Sequence, residues 1–311
     1  MDYIIFVASL TALVYGADFV INQSEKIALH FDISPFVIGA TLIALGTSLP
    51  EMAASMAASY KDQSDMAVAN VIGSNIFNIA LVLGVVFLLS KNITTTRDIF
   101  AKDSAWGLFP ILVFILVSLD GQINRFEGGL FLLMMVAYVL FLIDSAADLA
   151  GEVEAEDERD GFNWFKSIAL LVIGFTLIVA GGNYTIESGA NIARSFGVSE
   201  WIVGMMLIAL GTSLPELVVS VKAALKGQAE MSIGNIIGSN VANITMVLGS
   251  AALVSPLTID LSKNAYDILM ALIVAVMLVF ITANKIYNRS TGIVLLITLA
   301  LVVNNTISSI G

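Results

Sequence analysis

Apolar stretches of about 20 residues, each long enough to cross a ~30 Å hydrocarbon layer as an α-helix, recur along the whole chain. A water-soluble core cannot absorb that much apolar surface, whereas a bilayer can. Composition agrees: of 311 residues, 58% are hydrophobic and 13% charged, and the mean hydropathy is +0.93. Soluble domains carry about a quarter charged residues. The runs divide into ten spans, at 3–29, 35–60, 66–90, 104–120, 126–146, 164–194, 200–225, 230–255, 264–284 and 289–309. The first and sixth exceed the minimum crossing length and are expected to tilt or to lie partly in the interface. The fourth and fifth are set apart only by the run from Asp120 to Arg125. Met1-Asp2-Tyr3 lacks the positive start of a cleaved signal, so the first run reads as a retained helix.

The basic residues test the count. With ten spans, the odd-numbered connections share one side of the membrane and collect Lys26, Lys91, Arg97, Lys102, Arg159, Lys166, Lys222, Lys226, Lys285 and Arg289. The other side holds Lys61, Arg125, Arg194 and Lys263. That bias is the positive-inside pattern, and it places both termini on the extracytoplasmic side of a cell membrane. The net charge of −11 says little about partners, because seven acids crowd into residues 148–160. That stretch lacks the spaced ligands and glycine of a Ca²⁺ loop and reads as a solvated cytoplasmic linker. No basic patch offers itself to nucleic acid, and nothing calls for a protein partner, so a monomer in the lipid bilayer is expected. The absence of cysteine excludes disulfides, thiolate metal sites and a thiol nucleophile.

The chain is also built twice. Aligning Gly39 with Gly204, an offset of 165, gives an ungapped match to Gly84 and Gly249 in which 26 of 46 positions are identical. Each half contains five spans, and because five is odd the second copy enters the membrane upside down. The expected fold is an all-α membrane protein of ten transmembrane helices in two inverted-topology five-helix repeats. Residues 1–147 and 164–311 form the repeats, joined by the acidic linker 148–163. Inverted repeats are the architecture of many secondary transporters, which hold substrate near the midplane.

The most similar segments are the most polar ones. Ala44-Leu45-Gly46-Thr47-Ser48-Leu49-Pro50-Glu51 in span two returns as Ala209-Leu210-Gly211-Thr212-Ser213-Leu214-Pro215-Glu216 in span seven. Ala44, Thr47, Ser48 and Glu51 share one helix face, and Pro50 disturbs the turn so that neighbouring carbonyls can face a cavity. Spans three and eight carry Asn70, Ser74 and Asn78, repeated as Asn235, Ser239 and Asn243, each set a polar stripe on an apolar helix. Gly73 and Gly238 beside the serines suggest close helix approach. Hydroxyls, amides, carbonyls and carboxylates form an all-oxygen set suited to hard cations. Serine–proline kinks and asparagine stripes also have ordinary structural uses. A glutamate in mid-span costs several kcal/mol to leave ionised, and two in symmetric positions point to function. Asp18 and Glu187, near span ends, read as structural or interfacial, as does His30 at a span boundary.

The doubled Gly-Thr-Ser-Leu-Pro-Glu, with Ala69-Asn-Val-Ile-Gly-Ser-Asn75 and Gly234-Asn-Ile-Ile-Gly-Ser-Asn240, resembles the α-repeats of the cation/calcium antiporter superfamily, most closely its prokaryotic sodium/calcium exchanger branch. The resemblance covers essentially the whole chain. It implies a ten-helix bundle that exchanges Na⁺ for Ca²⁺ by alternating access, with the ions as cargo and no prosthetic group. Glu51 and Glu216 would share the Ca²⁺ site with the backbone of Thr47 and Thr212. Na⁺ sites would use Ala44, Ser48 and Ser239 on one side and Ala209, Ser213 and Ser74 on the other, with Asn78 and Asn243 completing the centre. Some relatives carry aspartate where this chain has Asn243. Here the carboxylate charge is −2, which one Ca²⁺ or two Na⁺ would neutralise, and K⁺ co-transport is disfavoured. Na⁺, Ca²⁺ and protons would then compete for one pair of carboxylates. The alternative is a proton-coupled or other divalent-cation antiporter of the same superfamily. An intramembrane protease using Ser48 or Ser213 lacks a histidine or lysine partner within the spans.

Overall fold

The computed structural model describes residues 1–90, 93, 99–147, 162–197 and 211–310. In hydrocarbon no water satisfies backbone amides, so apolar runs of this length must close their hydrogen bonds as helix. Span one is a single helix, Asp2–His30, and span six another, Trp164–Ser195, of 29 and 32 residues. Both have the excess length expected of them. Spans three, eight, nine and ten are Ser64–Leu89, Ala229–Val254, Leu261–Ala283 and Arg289–Ile310. Spans four and five are separate helices, Ile99–Val117 and Arg125–Ala147. A 3-10 turn and Gly121 at φ 84° reverse the chain between them. Span two is a broken pair, Pro35–Thr47 and Leu49–Tyr60. Among the described residues, eight unbroken helices and this pair are long and apolar enough to cross a membrane. Residues 200–210 of the expected span seven lie outside the described residues; its later part contains the helix Leu214–Leu225. Lys91, Arg97, Arg159 and the acidic stretch 148–160 also lie outside them.

Helix starts follow capping chemistry. Ser34 accepts from the Val37 amide ahead of Pro35, and Asn163 accepts from the Lys166 amide. Asn124 and Glu127 cap reciprocally: each side chain accepts from the other's backbone N–H, at 3.1 and 2.8 Å. Asp260 accepts from the amides of Ser262 and Lys263 and from the Ser262 hydroxyl.

Two compact units result, each taking segments from both halves of the sequence. The first is Met1–Thr47 with Leu142–Asn235. Within it, spans one and six pack along their length. Glycines permit the crossing: a Cβ on Gly16 would stand 2.7 Å from the Gly174 carbonyl, and one on Gly181 would stand 2.7 Å from the Leu13 amide. Val20, Ile21, Ile43, Ile178, Val219 and Met231 form the buried core beside it. Asp18 accepts a hydrogen bond from Lys222 and pairs with Lys226 at 2.7 Å, which gives it the structural role expected. Lys226 also donates to Asn22 at 2.8 Å. His30 ends span one and stacks on Phe162 at 4.2 Å, while Glu187 is exposed.

The second unit is Ser48–Phe141 with Ile236–Gly311. A two-residue antiparallel ladder, Gln122 with Thr258 and Ile123 with Leu257, ties connection four–five to connection eight–nine. The Ser59 hydroxyl, at the end of span two, donates to the Ala251 and Ser255 carbonyls. Phe87, near the end of span three, lies 5.9 Å from Tyr287 in connection nine–ten. Even-numbered connections therefore meet even-numbered ones. Odd meet odd both here and at the His30–Phe162 and Asn22–Lys226 contacts of the first unit.

The expectation for Gly73 is corrected. Nothing lies within 4 Å of a Cβ added there; Gly73 lines a cavity of about 140 Å³ with Ile72, Ile76, Asp267 and Ile268. On span eight Gly234 makes a close approach, since a Cβ there would run into the Phe36 carbonyl.

Gly181→Val should therefore destabilise the protein by about 1–3 kcal/mol through overpacking, whereas Gly73→Ala should be tolerated. Thermal unfolding in detergent reads both. Asp260 supplies a pH test. The Ser262 hydroxyl first, then the Lys263 amide, holds its carboxyl below the usual carboxylate range. A depressed carboxylate stabilises the fold above its unfolded pKa, and that contribution is lost as pH falls through the folded value. Asp260→Ala should lower the unfolding midpoint at pH 7, and its gap from the parent should close below about pH 4.

Candidate functional site

Both Gly-Thr-Ser-Leu-Pro-Glu segments break their helices at the same place. Ser48 has φ −83° and ψ 1°, Ser213 has φ −88° and ψ −1°, and helix resumes at Leu49 and Leu214 with the proline in its first turn. Proline suits a helix start because its missing N–H would have no partner there. The carbonyls of Ser48 and Ser213 accept from the amides of Met52 and Leu217, each at 3.1 Å. Glu51 and Glu216 follow on the first turn of each resumed helix, both at 0% exposure.

The first unit holds Ala44, Thr47, Thr212, Ser213 and Glu216 of the expected set. Ala44 and Thr47 are fully buried, and the Thr47 hydroxyl reaches the Ala44 carbonyl at 3.3 Å and Asn235 Oδ1 at 3.4 Å. Asn235 Nδ2 donates to the Ser220 hydroxyl at 2.9 Å. Ser213 is buried, and its Oγ has no hydrogen-bond partner among the described residues. Ala209 lies outside the described residues.

The second unit holds Ser48, Glu51, Ser74, Asn78, Ser239 and Asn243, all buried. Asn70 Nδ2 donates to the Ser55 hydroxyl at 2.9 Å and reaches the Glu51 carbonyl at 3.4 Å. The Asn70–Ser55 bond repeats Asn235–Ser220 at an offset of 165, so both copies tie the glutamate-bearing helix to the asparagine-bearing one. Asn78 and Asn243 each open a π-helical turn, Asn78–Leu83 and Asn243–Leu248. Such turns recur at functional sites. The helix of Glu51 packs against the turn that begins at Asn243. The Oγ atoms of Ser48 and Ser239 and the Oδ1 atoms of Asn78 and Asn243 are buried without hydrogen-bond partners among the described residues.

Two residues missed in the sequence stand behind those amides. Asn78 Nδ2 donates to Asn240 Oδ1, and Asn243 Nδ2 donates to Asn75 Oδ1, both at 3.0 Å. Asn75 and Asn240 fall off the Asn70–Ser74–Asn78 stripe and its copy. Their identity in both repeats was the available signal, and Ser55 and Ser220 carried the same one. Among the described residues no cluster of three or more His, Cys, Asp or Glu forms a metal centre. Any cation bound here would rely mainly on neutral oxygens beside a glutamate.

The family model described as sodium/calcium exchanger protein matches residues 1–143 and 166–307. The chain belongs to the sodium/calcium exchanger family. This exchanger-family chain is 33% identical over 304 residues to the inner membrane protein YrbG of Escherichia coli, covering 94% of this chain and 92% of the relative. It is also 33% identical to the sodium/calcium exchanger MaX1 of Methanosarcina acetivorans, covering 95% of both. Its fold matches the sodium-calcium exchanger NCX_Mj, soaked with 10 mM Na⁺ and zero Ca²⁺, with a TM-score of 0.84 and 31% identity, over 97% of this chain and 98% of that one. The exchanger-family protein is thus a multi-pass membrane protein and not an enzyme, and the protease reading of Ser48 and Ser213 falls.

The repeated Asn–Ser bonds are open to test. Asn235→Ala should cost about 1–3 kcal/mol, because it strips a buried hydroxyl of its donor. Adding Ser220→Ala should cost less than the two single losses summed, since each removes the same bond. Unfolding midpoints of the two single variants and the double variant decide it.

Proposed function

We propose that this chain exchanges Na⁺ for Ca²⁺ across the membrane by alternating access, with Glu51 and Glu216 as the carboxylates that carry the cation. The observation that carries the reading is the pair of repeated, fully buried glutamates in a chain of the sodium/calcium exchanger family. Names of relatives point the same way: MaX1 is a sodium/calcium exchanger, and NCX_Mj is described in Na⁺, Ca²⁺ and Sr²⁺ soaks.

The physical case is one of charge. An ionised carboxylate in an apolar span costs several kcal/mol. One Ca²⁺ or two Na⁺ cancels the charge of two, so the loaded site can pass the apolar barrier and the bare one cannot. Because both cations would use the same carboxylates, they exclude one another, which coupled exchange requires. Ser48, Ser74, Asn78 and their partners Ser213, Ser239 and Asn243 supply neutral oxygens, joined by the backbone at Ala44, Thr47, Ala209 and Thr212.

The architecture we infer is ten spans in two inverted repeats, 1–147 and 164–311, with the termini outside the cytoplasm. The meeting of even connections with even and odd with odd supports that parity. Spans one and six, long and packed on one another, are the elements we expect to slide when access switches.

The test is ⁴⁵Ca²⁺ uptake into proteoliposomes loaded with Na⁺, with and without K⁺ and a pH gradient. We expect uptake that needs the outward Na⁺ gradient and ignores K⁺, and a fall of at least about a hundredfold in Glu51→Gln and Glu216→Gln, the cost of leaving a buried cation short of its charge partner. Uptake that follows a pH gradient instead would favour the proton-coupled antiporter. Full activity in Glu51→Gln would remove the glutamates from the site.

A further inference from the structure

Four asparagines in the second unit form a closed set: Asn75 and Asn78 on span three, Asn240 and Asn243 on span eight. All are at most 4% exposed. Asn75 Nδ2 donates to the Asn240 main-chain carbonyl at 3.2 Å, and Asn240 Nδ2 donates to the Asn75 carbonyl at 3.5 Å. A main-chain carbonyl only accepts, so each of these amides must turn its nitrogen to the backbone and its oxygen the other way. The oxygen so directed meets the amide of the crosswise residue, Asn243 for Asn75 and Asn78 for Asn240, at 3.0 Å. An oxygen there demands a donor, so Asn78 and Asn243 in turn present their nitrogens. Their own oxygens then point away from the clamp, and those are the two buried Oδ1 atoms with no hydrogen-bond partner among the described residues.

We propose that Asn75 and Asn240 are positioning residues: each locks the amide of the crosswise Asn243 or Asn78 so that its oxygen, never its N–H, is presented to the transported cation. The inference rests on the cation-site reading above and extends it from ligands to what fixes their polarity. A neutral amide is a cation ligand one way round and repels a cation the other way. Without the clamp it can rotate by half a turn, and the ligand is lost for that fraction of time. A carboxylate has no wrong way round, since both its oxygens accept.

That difference gives the test, in full-length protein reconstituted for Na⁺-driven ⁴⁵Ca²⁺ uptake. Asn75→Ala and Asn240→Ala should each raise the KM for Ca²⁺ about tenfold, the scale of one hydrogen bond to a charged ligand, with a much smaller change in maximal rate. Asn243→Asp should suppress the effect of Asn75→Ala to under about twofold and leave that of Asn240→Ala intact. Asn78→Asp should do the converse. A merely structural role would lower the maximal rate and the unfolding midpoint in every background and would not show this crosswise pattern. An unchanged KM in both alanine variants, or equal effects in all backgrounds, would overturn the proposal. An unchanged KM in Asn78→Ala and Asn243→Ala would instead overturn the cation-site reading beneath it. If the alanine variants do not fold, Asn75→Ser and Asn240→Ser, which keep a small polar group without the fixed carbonyl, carry the same comparison.

Discussion

The rest of this structure depends on the refusal of hydrocarbon to hydrogen-bond. Every polar group placed within a span must find its partner inside the protein. Among the described residues, spans two, three and eight nonetheless carry more buried hydroxyls, amides and carboxylates than any others. Much of that polarity is consumed internally: Asn70 on Ser55, Asn235 on Ser220, and the crosswise asparagines on each other. At the two central asparagines, what the network leaves over has one sign. Among the described residues, the side-chain atoms left without hydrogen-bond partners at Asn78 and Asn243 are both amide oxygens, and no asparagine nitrogen is left over. Amides that spend their donors and keep their acceptors present negative potential, which suits a cation better than an anion or an apolar ligand.

Duplication explains how one short motif supplies so many of these groups, and it also separates the polar centre from its surroundings. At an offset of 165 the helix breaks, the Asn–Ser bonds, the amide clamps and the π-helical turns all recur. Parts of the periphery do not follow. Asp18 accepts from Lys222, yet the positions one repeat away are Asn183 and Ala57, which cannot form an ion pair. The cavity beside Gly73 includes Asp267 from span nine, whose counterpart 165 residues earlier is Lys102. The symmetry kept by the helix breaks and the asparagine pairs is lost at these two places.

Much of this was legible in the sequence, for identifiable reasons. Span positions follow from apolar length alone, and the helices of spans one and six begin and end within a few residues of the apolar runs. Burial of Glu51 and Glu216 followed from their place in mid-span. Gly73 was misread because small residues permit close approach without requiring it, and only the neighbouring helix decides whether a glycine such as Gly73 or Gly234 is used. Asn75 and Asn240 were missed for a different reason. A helical wheel assigns a residue to a face, but a hydrogen bond between spans has a direction that depends on two chain segments far apart in sequence. Periodicity carries no record of which end of an amide faces which partner.

That direction is where amide and carboxylate part company as ligands. A carboxylate brings charge and needs no orientation; an amide brings no charge and needs to be held. If Asn243 is a ligand as proposed, asparagine at that position moves part of the work from electrostatics to positioning. In the proposed site the glutamates would supply charge, while the amides would supply dipoles whose value depends on being fixed before the ion arrives. Fixed dipoles in a low-dielectric interior incur little reorganisation cost on binding, the same reason preorganised oxyanion holes outperform water. Two backbone carbonyls, those of Asn75 and Asn240, would anchor that preorganisation, because unlike the amides they cannot turn round.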